Sequence, residues 1–534
     1  MRDSHRVLLL SFLCFLLYLP ALGNRDLWGT VETEYAQVAR ETLQSTSWTG
    51  WLIPHFNGDT YNEKPPLYFW LMALVSLPVG DVTEFTARLP SALTALGTVI
   101  VLYFLGKALW NEQAGLLASL ILLSSPEFFK SACMVRIDLP VALLFALSMA
   151  GFYMGLASSR RWFFLLGWFS AALSFLAKGP LYPLLIGLVL CFYAASRREL
   201  HRLKETLPFW GAVVFFGTIC LWFIPVYLQE GHYLEGLLNW GRWYLTEEKY
   251  HVESFYFYPP QFLAGMAPWS IFIPLALYRS GTGYFYYRGD KGGPAGRDAA
   301  LLLPWLWLLF GLIAFSLLSA KHSRYVLFLY PAGALIAGLT WEGYWAKSAP
   351  LWPWQRCLPV LTWAVLMGVV IALFAGECLP HPTLILSLVG AGMLITFYLT
   401  YRASQTRLLF GAVLLCSVIS QAIYYQWLMP SRNSIRSEKP LCQLLLSRME
   451  PGAEWAVYRV YRPAFTYYTR TFPRNIHSEE QLEAFLSSMK KVYCLFGEAD
   501  YQGLAHLGQK VVKLAEFPDP KRCAPPFILV SNKP

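Results

Sequence analysis

The stretch YNEKPPLYFW, residues 61–70, sets a carboxylate and an ammonium, Glu63 and Lys64, against two prolines and directly ahead of an apolar run. Two more carboxylates, Glu32 and Glu34, open an amphipathic stretch at 32–44. Further along come Arg40, Arg88, Arg136, Asp138, Lys178, Arg242, His251, Glu253, Lys321, His322 and Arg324, at the edges of long apolar blocks. Groups of these types, gathered where apolar surface meets water, suit a ligand with a phosphate head and a hydrocarbon tail. Lysine and arginine hold phosphate through charge-assisted hydrogen bonds and stabilise the charge that grows on it as it leaves. A carboxylate orients or deprotonates an attacking hydroxyl. Taken singly, each residue also has a plainer reading: Asp138 caps a helix, Glu32 and Glu34 favour a helix N-terminus, and Lys64 snorkels at an interface.

The elements that position these groups follow from composition. Of the 534 residues, 56% are hydrophobic and 14% charged, with a mean hydropathy of +0.41. A soluble domain carries about a quarter charged residues, so the balance indicates a polytopic membrane protein. Apolar blocks occur near 7–23, 86–107, 113–131, 138–157, 162–177, 180–196, 208–228, 260–279, 299–319, 325–345, 358–376, 382–401 and 408–428, each near the length a helix needs to cross a bilayer. The net charge of +10 comes from short cationic clusters between blocks, which marks cytoplasmic loops rather than a nucleic-acid-binding face. With Arg2 and Arg6 inside, thirteen spans place Arg160/Arg161, the run Arg197 to Lys204, Arg279 to Arg297, and Arg402/Arg407 all in the cytoplasm. Residues 66–80 are apolar but short, and read as a helix in or dipping into the outer interface. The first block fits a secretory signal as well as an uncleaved first helix, the helix favoured by the many spans behind it; either way the residues after Gly23 lie outside. Glu63 and Lys64 then face outward, and so do the cations that the positive-inside rule would disfavour there.

From residue 429 the character changes. SEEQLEAFLSSMKK is an amphipathic helix, with Ser478 as N-cap and Gln481 three residues on; WAVYRVY, KVYCLF and PFILVS read as strands. The ten cysteines form no CxxC pair; Cys442, Cys494 and Cys523 leave room for one disulfide if this segment is extracytoplasmic. The expected architecture is an all-α polytopic membrane domain over 1–428, holding a first outer loop at 24–85, followed by a small extracytoplasmic α/β domain over 429–534.

The motifs themselves resemble a known group. RDLWGTVETEYAQVARETL followed by NGDTYNEKPPLYFW is similar to the first outer loop of the aminoarabinose transferase and protein mannosyltransferase group, membrane glycosyltransferases of the GT-C superfamily. VRIDLP at 135–140, LAKGPLYPLL at 176–185, HVESFYFYPPQFLAGMAPW at 251–269 and FSLLSAKHSRYVLFLYPAGAL at 315–335 follow in the group's order. The resemblance implies about thirteen transmembrane helices, a polyprenyl-phosphate-linked sugar donor, and a lipid, glycan or protein acceptor outside the cytoplasm of a bacterial inner membrane, with no nucleic acid involved. It makes Lys64, Lys178, Arg324 and Arg88 contacts of the donor phosphate, and Glu32 and Asp138 site carboxylates. The group's usual aspartate falls on Val31 here, so the acidic group is Glu32 alone or Glu32 with Glu34. Some relatives hold a metal at the counterparts of Glu63 and His251; no cofactor is otherwise required, and a divalent metal stays an open option. The implied reaction is inverting: the acceptor attacks the anomeric carbon opposite the departing polyprenyl phosphate. A bacterial glycolipid such as lipid A is the first acceptor class, and protein O-mannosyl transfer the second. A lipid-linked sugar flippase would carry charges in mid-span and an internal repeat, and the sequence shows neither.

Overall fold

The computed structural model describes residues 2–233, 235–236, 253–281, 294–345, 406–503, 511–517 and 526–533. His251, Arg242, Arg402 and the expected spans 358–376 and 382–401 lie outside the described residues. The chain divides into two compact units: one of residues 1–20, 62–68 and 89–423, the other of residues 21–61, 69–88 and 424–534.

Most expected spans recur as single helices: α1 (Asp3–Tyr18), α5 (Glu84–Leu109), α8 (Asp138–Ser158), α9 (Arg161–Lys178), α10 (Leu181–Ser196) and α11 (Pro208–Gln229). The helices Pro294–Ser316, Tyr330–Trp345 and Thr406–Ile423 follow. Six of the described helical segments, among them Asp138–Ser158 and Pro208–Gln229, are long and apolar enough to cross a membrane. Two expected spans are instead broken. Residues 113–131 form α6 (Glu112–Leu123) and α7 (Pro126–Ala132), because Pro126 cannot continue a helix and the Ser124 and Ser125 hydroxyls turn back onto the carbonyls of Leu120 and Ile121. Residues 260–279 form two helical pieces bent by 116° around Pro268. The helix α4 (Leu67–Ser76) has ten residues, about 15 Å at 1.5 Å each, too short to span.

In the first unit, α8 and α9 are joined by only Ser159 and Arg160, so they pack as an antiparallel hairpin. A Cβ on Gly151 would meet Gly167 backbone at 2.8 Å, so the hairpin closes only with glycine there. Ser159 closes α8 at φ 55°, and Gly179, at φ 93°, closes α9. The hairpin brings the N-terminus of α8, at Asp138, beside the C-terminus of α9, at Lys178. A carboxylate at the first end and an ammonium at the second both complement the helix dipoles.

The second unit is built around a five-stranded sheet, order β4-β3-β5-β7-β6, with β3 (Trp455–Tyr458) parallel to β4 (Arg474–Ile476) and β5 (Tyr493–Gly497), and β7 (Phe527–Ser531) antiparallel to β5 and β6 (Val512–Phe517). Alternate residues face opposite sides: Ala456, Cys494 and Val530 pack with Leu482 and Phe485, whereas Trp455, Leu495 and Leu529 pack with Cys442, Leu445 and Phe465. The three expected strands are thus β3, β5 and β7. Ser478 caps the Glu479–Leu486 helix by accepting from the Gln481 N–H, as its spacing predicts. Cys442 and Cys494 are buried free thiols on opposite faces of the sheet, which rules out a bond between them; Cys523 lies outside the described residues.

The same unit takes in most of the first outer loop, a grouping that the expected boundary at 428 did not include. Its helix α2 (Gly29–Gln44) packs on the Pro463–Thr469 helix. Beside α2 lies a hairpin, β1 (His55–Phe56) and β2 (Asp59–Thr60), turned by Asn57 at φ 58° and Gly58 at φ 82°. Asn-Gly is the preferred pair for such a turn. Glu41, on α2, accepts hydrogen bonds from the Asn57 and Gly58 N–H groups at 2.8 and 3.1 Å and holds the turn in place.

Candidate active site

In the first unit Asp138, Lys178 and Arg324 meet. The Lys178 ammonium donates a hydrogen bond to Asp138 Oδ1, and Arg324 Nε lies 3.9 Å from Asp138 Oδ2. Three elements converge here: the start of α8, the end of α9, and the turn Ser323–Leu329 that leads into the Tyr330–Trp345 helix. Aromatic rings back the cations. Lys178 Nζ lies 4.2 Å from the centre of the Tyr325 ring and 5.8 Å from that of Tyr182, and Arg324 lies 5.7 Å from Tyr325. Asp138 is 3% exposed, but the cations keep a path to solvent, Lys178 at 12% and Arg324 at 23%. One carboxylate against two cations leaves a net positive charge that an anion can occupy. His322 stacks edge-on against Tyr325, and Lys321 donates to the Glu253 carbonyl at 2.9 Å.

The Glu63-Lys64-Pro65-Pro66 segment belongs to the same unit. Lys64 is buried; its ammonium donates to the Glu63 carbonyl at 3.1 Å, and its own carbonyl accepts from the Tyr233 hydroxyl at 3.2 Å. Tyr68, at the end of the segment, shares a hydrogen bond with Ser91 at 2.9 Å, and Ser91 in turn accepts from the Arg136 N–H at 3.1 Å. This chain of contacts ties the segment to the entrance of α8. Of the two expected metal ligands only Glu63 is described, and no group of three His, Cys, Asp or Glu side chains is placed to hold a metal among the described residues.

The second unit holds Glu32, Glu34 and Arg88. Glu32 Oε1 accepts from Arg25 Nη2 at 2.9 Å and from Arg88 Nε at 3.2 Å; Oε2 accepts from Arg88 Nη2 at 3.2 Å and from the Trp28 N–H at 3.0 Å. Burial pushes its pKa up, but the guanidinium charges of Arg25 and then Arg88, with the hydrogen bonds, outweigh burial and hold it at about 2. Arg88 spends its remaining N–H groups on the carbonyls of Leu22, Arg25 and Asp26 and has no exposed surface. That geometry corrects the expectation of a phosphate contact at Arg88: its donors are already committed to Glu32 and the backbone. Glu34 accepts from two phenols, Tyr61 at 2.7 Å and Tyr461 at 3.0 Å. Arg40 bonds Asp81 at 2.7 Å and the Tyr467 and Val82 carbonyls, while Arg470 reaches the other Asp81 oxygen at 2.6 Å.

Two parts of these clusters were not singled out from sequence. Arg25 pairs with Glu32 seven residues on, a spacing that signals nothing by itself. Tyr461 comes from the C-terminal segment, 427 residues from Glu34. The Asn57-Gly58 pair was a readable hairpin signal, and it places Tyr61.

A family model described as dolichyl-phosphate-mannose-protein mannosyltransferase matches residues 63–224. The chain is similar to the undecaprenyl phosphate-alpha-4-amino-4-deoxy-L-arabinose arabinosyl transferase of Pseudomonas aeruginosa, 29% identical over 336 residues that cover 61% of this chain and 57% of that protein. The enzyme of the same description from Pseudomonas savastanoi pv. phaseolicola is 31% identical over 341 residues, 62% of this chain and 60% of that one. The matched region thus spans a little over half the length of these relatives. Among solved structures, ArnT from Cupriavidus metallidurans bound to undecaprenyl phosphate superposes with a TM-score of 0.78 at 18% identity, covering 98% of both chains. The archaeal oligosaccharyltransferase AglB from Archaeoglobus fulgidus matches with a TM-score of 0.50 at 10% identity, over 92% of this chain and 69% of that one. The fold is shared with these solved structures, and the sequence similarity runs to the same kind of transferase that the motifs resemble.

Proposed function

We propose that the protein is an inverting glycosyltransferase that moves a sugar from a polyprenyl-phosphate donor to a lipid acceptor outside the cytoplasm of a bacterial inner membrane, with lipid A as the acceptor class. The observation that carries this reading is the Asp138–Lys178–Arg324 cluster: a half-open pair of cations held by one carboxylate at the ends of two helices, backed by aromatic rings. Such a cluster suits a lipid phosphate, because the cations are pre-set by Asp138 and need no reorganisation when the anion arrives. Lys178 and Arg324 hold the donor phosphate, with Lys64 as a third contact. Asp138 keeps both cations aimed and spares them the cost of lying unpaired in a buried site. Charge builds on the phosphate as the bond to the anomeric carbon breaks, so the cations contribute more in the transition state than in the ground state. The acceptor oxygen attacks from the opposite face. An acceptor that is itself a phosphate arrives already ionised and needs no strong base.

Glu32 takes a different part from the acid expected of it. A carboxylate with a pKa near 2 is a poor proton acceptor at neutral pH, so its role is to pin Arg25, Arg88 and the start of α2. The C-terminal residues belong with that loop as one scaffold, and Glu63 keeps the candidacy for a metal that His251 would have to share.

The matched mannosyltransferase model favours a second reading, transfer to a protein hydroxyl. One experiment separates the two. Membranes containing the protein are given an undecaprenyl-phosphate sugar, and lipid and protein fractions are followed by mass spectrometry. Free polyprenyl phosphate with sugar on lipid A supports the first reading. Sugar on protein supports the second, and donor relocated intact contradicts both.

A further inference from the structure

Among the buried and half-buried cations described so far, Arg136, whose charge acts on Asp138 and Lys178, has a buried donor to spare. Arg25, Arg88, Arg40, Lys178 and Arg324 each meet a carboxylate. Arg136 makes no ion pair among the described residues. Its Nε is buried and has no hydrogen-bond partner there, and its Nη2 touches only the Met134 sulfur, at 3.7 Å. Yet the residue is fixed, not loose: its backbone N–H donates to Ser91 Oγ, which also bonds the Tyr68 hydroxyl. It sits two residues before Asp138, at the entrance to α8. A buried guanidinium donor with no acceptor is costly, and folds keep one where something other than the protein answers it.

Charge counting says what that something is. Among the described residues the Asp138–Lys178–Arg324 cluster sets one carboxylate against two cations, a single positive charge, which matches a phosphodiester. When the bond from the anomeric carbon to the phosphate oxygen breaks, its electron pair stays on that oxygen, and the acceptor oxygen forms the new bond to carbon. The departing phosphomonoester carries about −1.5 to −2 at neutral pH, nearly one charge more than the diester did. We propose that Arg136 is the cation that takes up this second charge, so that the site favours the leaving group over the intact donor. The inference rests on the reading of this cluster as a donor-phosphate site and adds to it a residue that acts on the product state. An arginine that merely solvates a helix entrance would not tell the two phosphates apart.

The test uses the full-length protein in nanodiscs at pH 8 and two lipids, undecaprenyl phosphate and its uncleavable methyl ester, one a monoester and one a diester. For R136Q the Kd for the monoester rises about tenfold or more, while the Kd for the methyl ester stays within twofold of wild type. R136K keeps the charge but loses the fork, and weakens monoester binding about threefold with the same selectivity; it carries the test if R136Q does not fold. K178A weakens both lipids together. If Arg136 variants weaken both lipids equally, or neither, the inference is overturned. If the unaltered protein binds neither lipid, the donor-site reading falls and takes this inference with it. If K178A weakens both lipids but the monoester preference survives in R136Q, only the inference falls.

Discussion

Two clusters of the same make-up, one carboxylate between two cations, end in different states. Around Glu32 every group is shut in: Arg25 is 3% exposed, Arg88 fully buried, and the spare N–H groups of Arg88 go to three backbone carbonyls. Around Asp138 the carboxylate is as deeply buried, but Lys178 and Arg324 keep 12% and 23% exposure and lie against aromatic rings. The first arrangement has spent its hydrogen-bonding capacity on the fold. The second leaves its cations partly open to solvent, where an anion can reach them. Residue type alone does not set the two ion clusters apart; the exposure their cations keep does.

Substitutions can sharpen or break that distinction. The largest effect is expected for Glu32→Ala. It strands two buried guanidinium groups and should lower the unfolding free energy by about 3–5 kcal/mol, read from thermal unfolding in detergent. If that variant keeps wild-type stability but loses transfer, Glu32 is a site residue and the comparison fails. Acid should act on the same cluster. A free glutamate titrates near 4.5, and Glu32 in the fold at about 2. The depressed value means that its contribution to stability is complete above 4.5 and is lost as pH falls from there through 2. In Glu32→Gln the acid-side loss of unfolding temperature should be shallower; an unchanged slope would assign the effect to other groups. Next comes Tyr461→Phe, which removes one hydrogen bond to the Glu34 carboxylate and should cost about 1.5–3 kcal/mol while leaving undecaprenyl phosphate binding unchanged. A loss of lipid binding in that variant would mean that the second unit is more than a scaffold. The smallest effect is expected for Asn57→Ala, about 1 kcal/mol for placing alanine in the left-handed region, with transfer intact.

How far the sequence could be read depended on range. Local signals carried well: apolar blocks gave most helices, the Ser478–Gln481 spacing gave a true cap, and short apolar runs gave β3, β5 and β7. The shortness of 66–80 was readable because its length falls below the roughly 20 residues a span needs, and its helix has only ten. Breaks at Ser124-Ser125-Pro126 and at Pro268 were hidden because composition alone does not interrupt an apolar run, although proline does. The meeting of Asp138 with Lys178 follows from two helices joined by a two-residue turn, which sequence can suggest. Arg324 joins them from 186 residues away, and only the motif resemblance pointed to it. The partners of Glu32 and Glu34 were illegible for a related reason. Pairing over tens or hundreds of residues is decided by packing, so Arg88 looked like a ligand contact until its donors were seen to be taken.

The central claim is that Lys178 and Arg324, aimed by Asp138, hold a lipid phosphate. Binding of undecaprenyl phosphate to the full-length protein and to Lys178→Ala tests it most directly. The account predicts saturable binding that weakens about 100-fold in the variant, in line with the loss of a charged donor in a preorganised site, while the folded fraction is unchanged. Equal affinity in the two proteins would contradict it.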